Sequence, residues 1–342
     1  MKRTKGVMAG MACAVSLVVA GCAGGAGDSG EDGAITVANQ PNPSGFSLWL
    51  AKEKGFYEDA GLQVELMYSP TGAAQLASGV SGDWQAGYMG APPALTGYDK
   101  WGLLPAGTMM RENENIILFV KKEILEGQEI DEVLRSSRVG VTPNSVSEQL
   151  LFACAEQFGV SGDQLTTVPL DPAAIVNGML GDELDAAVTF SAVDWPLVQD
   201  EDKYARVCDG NKAERDLVDP FVVTPTFWKE RPEDAAAFVD AAYRANEYIR
   251  SNPDDLNTLV MDYFAEVGAD YPEEAAEYSL SVRNFMTLDE AVDAMSSGAT
   301  ETALSNTSNH LVSVGAFDSE PDVEAMVNDG HEVLQAAAER RE

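Results

Sequence analysis

The feature that most constrains this chain is an alternation of strand and helix signals that occurs in two blocks. In the first block, apolar or alternating stretches at residues 34–38, 62–66, 84–89, 104–110 and 116–120 read as strands. Helical stretches at 46–54 and 73–80 lie among them, and a short helix follows Gly90-Ala-Pro-Pro93. In the second block, strands are expected at 139–141, 166–170 and 185–190. Helices are expected at 146–158 and 172–180, with another after Asp194 and a further strand at 221–223. From Pro232 only helices are expected, with Pro232 and Pro253 at first helical positions. Alternation of this kind implies α/β folding with mostly parallel sheets flanked by helices. Two blocks imply two similar lobes with a cleft between them. A short echo supports this: Gly82-Asp83-Trp84-Gln85-Ala86 and Gly181-Asp182-Glu183-Leu184-Asp185-Ala186 each follow a helix and open a strand.

In such sheets, ligands bind beyond the carboxyl ends of the strands. The stretch "LQVELMYSPTGAA" from Leu62 shows why: an alternating strand stops in a small polar turn, and an alanine-rich helix opens there with free amides at its start. Five loops occupy this position, at 39–44, 69–72, 90–93, 144–147 and 191–194. They supply the candidate ligand contacts Asn39 and Gln40, Thr71 and Gly72, Ala91 and Pro92, Asn144 and Ser145, and Ser191 and Asp194. Phe46 is a candidate for stacking on a ligand. Each has a structural alternative. Thr71, Ser145 and Asp194 are good helix caps, and Phe46 and Trp49 suit a buried helix face. No Lys or Arg falls within the five loops, so Arg111 is the nearest basic candidate; it can equally pair with Glu112 or Glu114 on the surface.

Composition narrows the partners. With 45% apolar residues, 342 residues can build two domains around real cores. A net charge of −34, spread along the chain, argues against nucleic acid and against an anionic membrane surface. The first 21 residues read as a signal peptide, a basic start followed by a short apolar run at 6–19. Val19-Ala20-Gly21-Cys22 reads as a lipobox that would place a lipid on Cys22, with residues 22–33 as a flexible tether. The tether's Gly25-x-Gly27-x-x-Gly30 lacks the strand and helix of a dinucleotide site. Cys154 and Cys208 could form a disulfide outside the cell. Because Cys154 sits in an apolar helical run, the expectation is two separate buried thiols. No Gly-x-Ser-x-Gly elbow or P-loop occurs. His310 and His331 lie far apart, outside the expected cleft, and make no metal pattern. No cofactor or metal is expected.

The runs Leu50-Ala-Lys-Glu-Lys-Gly-Phe-Tyr-Glu-Asp-Ala-Gly-Leu-Gln-Val-Glu-Leu66 and Gly72-Ala-Ala-Gln-Leu-Ala-Ser-Gly79 add a resemblance. So do Gly90-Ala-Pro-Pro-Ala-Leu95, residues 173–180 with Asp185-Ala186, and Arg231-Pro-Glu-Asp234. With these the chain resembles the periplasmic substrate-binding proteins of nitrate, sulfonate and taurine uptake, the NMT1/THI5-like family. The resemblance implies a type II-like periplasmic-binding-protein fold with a helical C-terminal region. It places one lobe at 34–119 plus 221–342 and the other at 120–220, with the hinge near 116–120 and 220–223. It implies a monomeric, lipid-anchored receptor on the extracytoplasmic face of the membrane that passes a small solute to an ABC permease and its ATPase. The alternatives are a secreted enzyme on the same scaffold, a surface interaction module using the acidic helical tail, or a receptor for an aromatic, pyrimidine-like thiamine precursor. The family's pyrimidine-forming enzyme uses a cysteine-rich motif that this chain lacks. Gln85 stands where the family usually has Asp, at a position read as structural.

Overall fold

The computed structural model of the chain describes residues 33–342. Cys22, the signal peptide and nearly all of the tether lie outside the described residues. Eleven strands are described. Five precede the middle of the chain: β1 (Ile35–Asn39), β2 (Val64–Tyr68), β3 (Ala86–Tyr88), β4 (Leu104–Arg111) and β5 (Ile116–Lys121). Then come β6 (Arg138–Val141), β7 (Thr166–Pro169), β8 (Ala186–Phe190), β9 (Tyr204–Asp209), β10 (Val218–Val223) and β11 (Asn284–Phe285). They form two sheets, ordered β11-β4-β10-β3-β1-β2 and β7-β6-β8-β5-β9. In the first, β1 runs parallel to β2 and β3, while β10 is antiparallel to β3 and β4. In the second, β6 runs parallel to β7 and β8, while β5 is antiparallel to β8 and β9.

The sequence echo is a structural repeat. In each sheet, a side chain at the start of the third strand of the unit bonds the first. Gln85 Oε1 accepts the Thr36 N–H at 2.8 Å, and Asp185 Oδ2 accepts the Arg138 N–H at 2.8 Å. An amide oxygen therefore does in the first lobe what a carboxylate does in the second, and this is why glutamine is tolerated at 85. Glycine is needed on the preceding helix in both copies. A Cβ at Gly79 would lie 2.5 Å from the Trp84 ring, and one at Gly178 would lie 2.8 Å from Leu184.

Each sheet is covered on both faces, so its inner strands read as unbroken apolar runs. Along β5, Ile116, Leu118 and Val120 enter one cluster with Val139 and Leu150; Ile117 and Phe119 enter another with Ile175 and Leu184. On the first sheet, the helix Pro232–Ser251 turns Ala235, Phe238, Ala242 and Ala245 inward at helical spacing. Phe238 and Tyr243 meet the Phe221 ring of β10 edge-on, the latter at 5.0 Å.

Several expectations are corrected. Two-residue β11 interrupts the helical C-terminal region and forms the edge of the first sheet by pairing with β4. The edge strand β9 is absent from the sequence-based expectation, because only Tyr204 and Cys208 of its six residues are buried and it carries no strong apolar signal. Cys154, on the helix Val146–Gln157, and Cys208, on β9, form a disulfide with Cα atoms 6.1 Å apart. This overturns the reading of two separate thiols. Only the pairing of β9 with β5 brings residues 54 apart in sequence together. The chain passes between the sheets at 112–115 and again at 210–217. The expected divisions at 119/120 and 220/221 thus fall inside β5 and β10. Asn113 ties the two crossings: its carbonyl accepts the Gly210 N–H at 2.8 Å, and its Oδ1 accepts the Leu217 N–H at 2.9 Å.

Candidate functional site

The carboxyl ends of β1, β2 and β3 face those of β6, β7 and β8 across a cleft of about 290 Å³. Two helices from different lobes open on it. The helix Gly72–Val80 is capped by Thr71, whose Oγ1 accepts the Ala74 N–H at 3.2 Å. The helix Val146–Gln157 is capped by Ser145, whose Oγ accepts the Glu148 N–H at 3.3 Å. The caps leave the amides of Gly72, Ala73, Val146 and Ser147 with no acceptor from the chain. Helix starts in this condition favour an anionic or strongly polar group.

Of the residues expected at the site, Gln40, Thr71, Gly72, Asn144 and Ser145 line the cleft. Asn144 adopts φ 52° and donates its N–H to Glu148 Oε2 at 2.9 Å, fixing the loop that faces Gly72. The others stand elsewhere. Asn39 is fully buried and shapes the first loop, donating to the Gly45 carbonyl and accepting from the Gln40 N–H. Phe46 packs in the core on Trp49 and Tyr263. Ala91 and Pro92 are buried in their helix, and the wall is made by Gly90 and Pro93 instead. Arg111 ends β4 opposite Asn284 and lines a separate hollow of about 990 Å³ with Arg250 and Asp254 rather than the cleft.

Ser191 and Asp194 are fully buried behind the cleft. They belong to a polar cluster that the sequence did not reveal. Its centre is Arg283. That guanidinium donates to Ser44 Oγ at 3.2 Å, to Ser191 Oγ at 2.8 Å, and to the carbonyls of Ser191 and Ser279 at 2.7 and 2.6 Å. Arg283 thereby joins the first lobe to the second. Near it lie Glu112 and Asp219, which line the cleft floor with Tyr88. Burial pushes both carboxyls above the usual range, and Arg283 pulls them back. Tyr88 donates to Asn42 Oδ1 at 2.9 Å. Asp171, Phe190 and Ile116 complete the missed lining.

Burial lifts the Asp194 carboxyl to about 7, with Arg206 and Arg283 acting in the opposite sense. A carboxyl whose pKa rises on folding holds its proton more tightly in the native state. Its contribution to stability is present below the unfolded value and is lost as pH rises towards 7. Replacing Asp194 with Asn should remove that loss. The stability of Asp194→Asn relative to the parent is expected to grow between about pH 4 and 7, by at most about 4 kcal/mol. Melting curves across this range check it, and a difference flat with pH would contradict it.

Further contacts between the lobes flank the cleft. Trp195 meets Tyr278 at 5.5 Å, Thr307 donates to Gln149 Oε1 at 3.1 Å, and His310 approaches Glu148 at 3.5 Å. Among the described residues, no cluster of His, Cys, Asp and Glu could hold a metal, and no helix is long and apolar enough to cross a membrane.

Comparison with known proteins agrees with this architecture. The taurine-binding periplasmic protein of Escherichia coli (strain K12) is 24% identical over 225 residues, covering 64% of this chain and 68% of that protein. The crystal structure of the nitrate-binding protein NrtA from Synechocystis PCC 6803 superposes with a TM-score of 0.73 at 13% identity, covering 91% of this chain and 90% of that one. The aliphatic sulphonate-binding protein SsuA from Escherichia coli gives a TM-score of 0.68 at 15% identity, covering 85% and 90%. These likenesses establish a periplasmic-binding-protein fold, and all three proteins are named for binding rather than turnover. The NMT1/THI5-like family model matches residues 42–256, well over half of the sequence. The chain belongs to the NMT1/THI5-like family.

Proposed function

We propose that this chain is the extracytoplasmic solute receptor of an ABC uptake transporter. It is held at the membrane by a lipid on Cys22, grips a small polar solute between its lobes and delivers it to the permease. The observation that carries this reading is the convergence of two capped helix starts, one from each lobe, on one cleft. A volume of about 290 Å³ is at the small end for ligand sites and suits a compound of the size of taurine, which the Escherichia coli relative is named for binding. The Cys154–Cys208 disulfide suits an oxidising compartment.

The mechanism is closure. For a solute to enter, the contacts of Arg283 with Ser191, of Tyr278 with Trp195 and of Thr307 with Gln149 must part, while the paired crossings at 112–115 and 210–217 keep the lobes together. The solute then favours the closed form by its greater affinity for it.

Thermal denaturation with taurine, alkanesulfonates, nitrate, small amines and pyrimidines tests the reading. A true ligand at a hundredfold excess over its Kd is expected to add about 2.7 kcal/mol. A melting curve unmoved by every compound would remove the receptor assignment.

A further inference from the structure

Among the described residues, Asp194 is the one carboxylate with both oxygens sealed from solvent and neither hydrogen-bonded. It stands just before the short helix Trp195–Gln199, where a carboxylate commonly caps the first turn, yet its side chain makes no cap. Its place is the seam between the lobes. From its own lobe it is faced by Arg206 of β9. From the first lobe it is faced by Tyr271, Tyr278 and Arg283, on and beside the helix Glu273–Ser281. Neither guanidinium donates to it. The seam is shut around it: Trp195 meets Tyr278 at 5.5 Å, the Arg206 guanidinium lies over the Tyr278 ring at 5.3 Å, and Arg283 donates to the Ser191 carbonyl at 2.7 Å. Parting the lobes takes the first-lobe groups away and lets water reach the carboxyl.

An ionised carboxylate is costly to enclose without a donor, and the neutral acid is far less so. The closed form therefore favours the acid and the open form the anion. We propose that Asp194 is a proton-operated latch: the lobes close with uptake of a proton by its carboxyl and part more readily once it is ionised, so that the solute is held more tightly in mild acid than at neutral pH. The effect on the solute rests on the receptor reading; the effect on the lobes rests on the seam alone. The latch works between about pH 4, where a wetted aspartate ionises, and about 7, to which burial lifts the Asp194 carboxyl in the closed form. The advantage of closure is complete below that window and is lost as pH rises through it. Tyr271 and Tyr278 stay neutral there, because burial lifts both phenols above their ordinary value. Glu112 and Asp219 share Arg283 with Asp194 and are also raised by burial, but they line the cleft, so a substitution at Asp194 alone separates its proton from theirs.

Small-angle scattering of the ligand-free chain at pH 5, 6, 7 and 8, beside Asp194→Asn, tests the latch without any solute. The radius of gyration of the parent is expected to grow as pH rises from about 5 to 7 and then to level off. Asp194→Asn, which cannot ionise, should keep the compact value throughout. Calorimetric titration with taurine gives the second readout. The parent should bind it at least about tenfold more weakly at pH 7.5 than at pH 5.5, since one proton per molecule allows up to about tenfold per pH unit. Asp194→Asn should hold the parent's pH 5.5 affinity at both, whereas a merely structural role for Asp194 would shift both affinities alike. A parent radius that ignores pH, or a variant that opens with pH as the parent does, would overturn the latch and leave the receptor standing. A radius that follows pH in the parent alone, in a chain that binds no solute, would remove the receptor and keep the latch.

Discussion

Replacing Arg283 with methionine is expected to destabilise the protein by about 3–5 kcal/mol, the range for removing one partner from a buried charge cluster. The substitution keeps the apolar bulk but deletes the four hydrogen bonds to Ser44, Ser191 and Ser279. It also leaves Glu112, Asp194 and Asp219 without the charge that draws their carboxyls back towards ionisation. Arg283→Lys should recover little of the loss, because a single ammonium cannot span Ser44 on one lobe and Ser191 on the other as a planar fork does. The stability gap should narrow as pH falls from about 8 to about 5, since protonating the carboxyls removes the uncompensated charge. Urea unfolding of the three proteins at both pH values measures this. A gap under about 1 kcal/mol, unchanged by pH, would show that the cluster is not the tie it is taken to be.

Removing the disulfide has a comparable expected effect by a different route. Cys154 and Cys208 close a loop spanning 54 residues. The loss of closure entropy in the unfolded chain corresponds to about 4 kcal/mol for a loop of that length. The double variant Cys154→Ala, Cys208→Ala should therefore unfold at markedly lower urea, and the change should fall on the second lobe, where both residues pack beside Val139, Leu150 and Leu217. Hydrogen exchange should rise in β5, β6, β8 and β9 while the first sheet stays protected. Equal midpoints for the oxidised parent and the double variant would contradict a structural role for the bridge.

The sheets were legible in the sequence because their signals are local. β1, β2, β6 and β8 read as apolar or alternating runs, and the turns after them carry Thr71 and Ser145, whose side chains cap the helices that follow. The repeat was legible for the same reason: Gln85 and Asp185 each directly precede the alanine that opens β3 or β8 and make matching bonds. The floor of the cleft was not. Arg283 lies 92 residues from Ser191 and 239 from Ser44 in a stretch of helical pattern, and nothing in its neighbourhood distinguishes it from a surface arginine. Asp219 precedes Pro220 inside β10 at a register shift, and no local pattern marks it as buried. Arg111 was the better local candidate, but it ends an edge-paired strand and turns to another face. Phe46 looked equally suited to ligand and core, and the Trp49 and Tyr263 rings decided for the core.

Hydrogen–deuterium exchange with and without a solute that raises the melting temperature tests the central claim most directly. If one compound bridges the lobes, slowed exchange must appear together at the amides of Gly72 and Ala73 and at those of Val146 and Ser147, the two helix starts that meet at the cleft. Protection of one helix start without the other, or protection confined to the hollow beside Arg111, would contradict it.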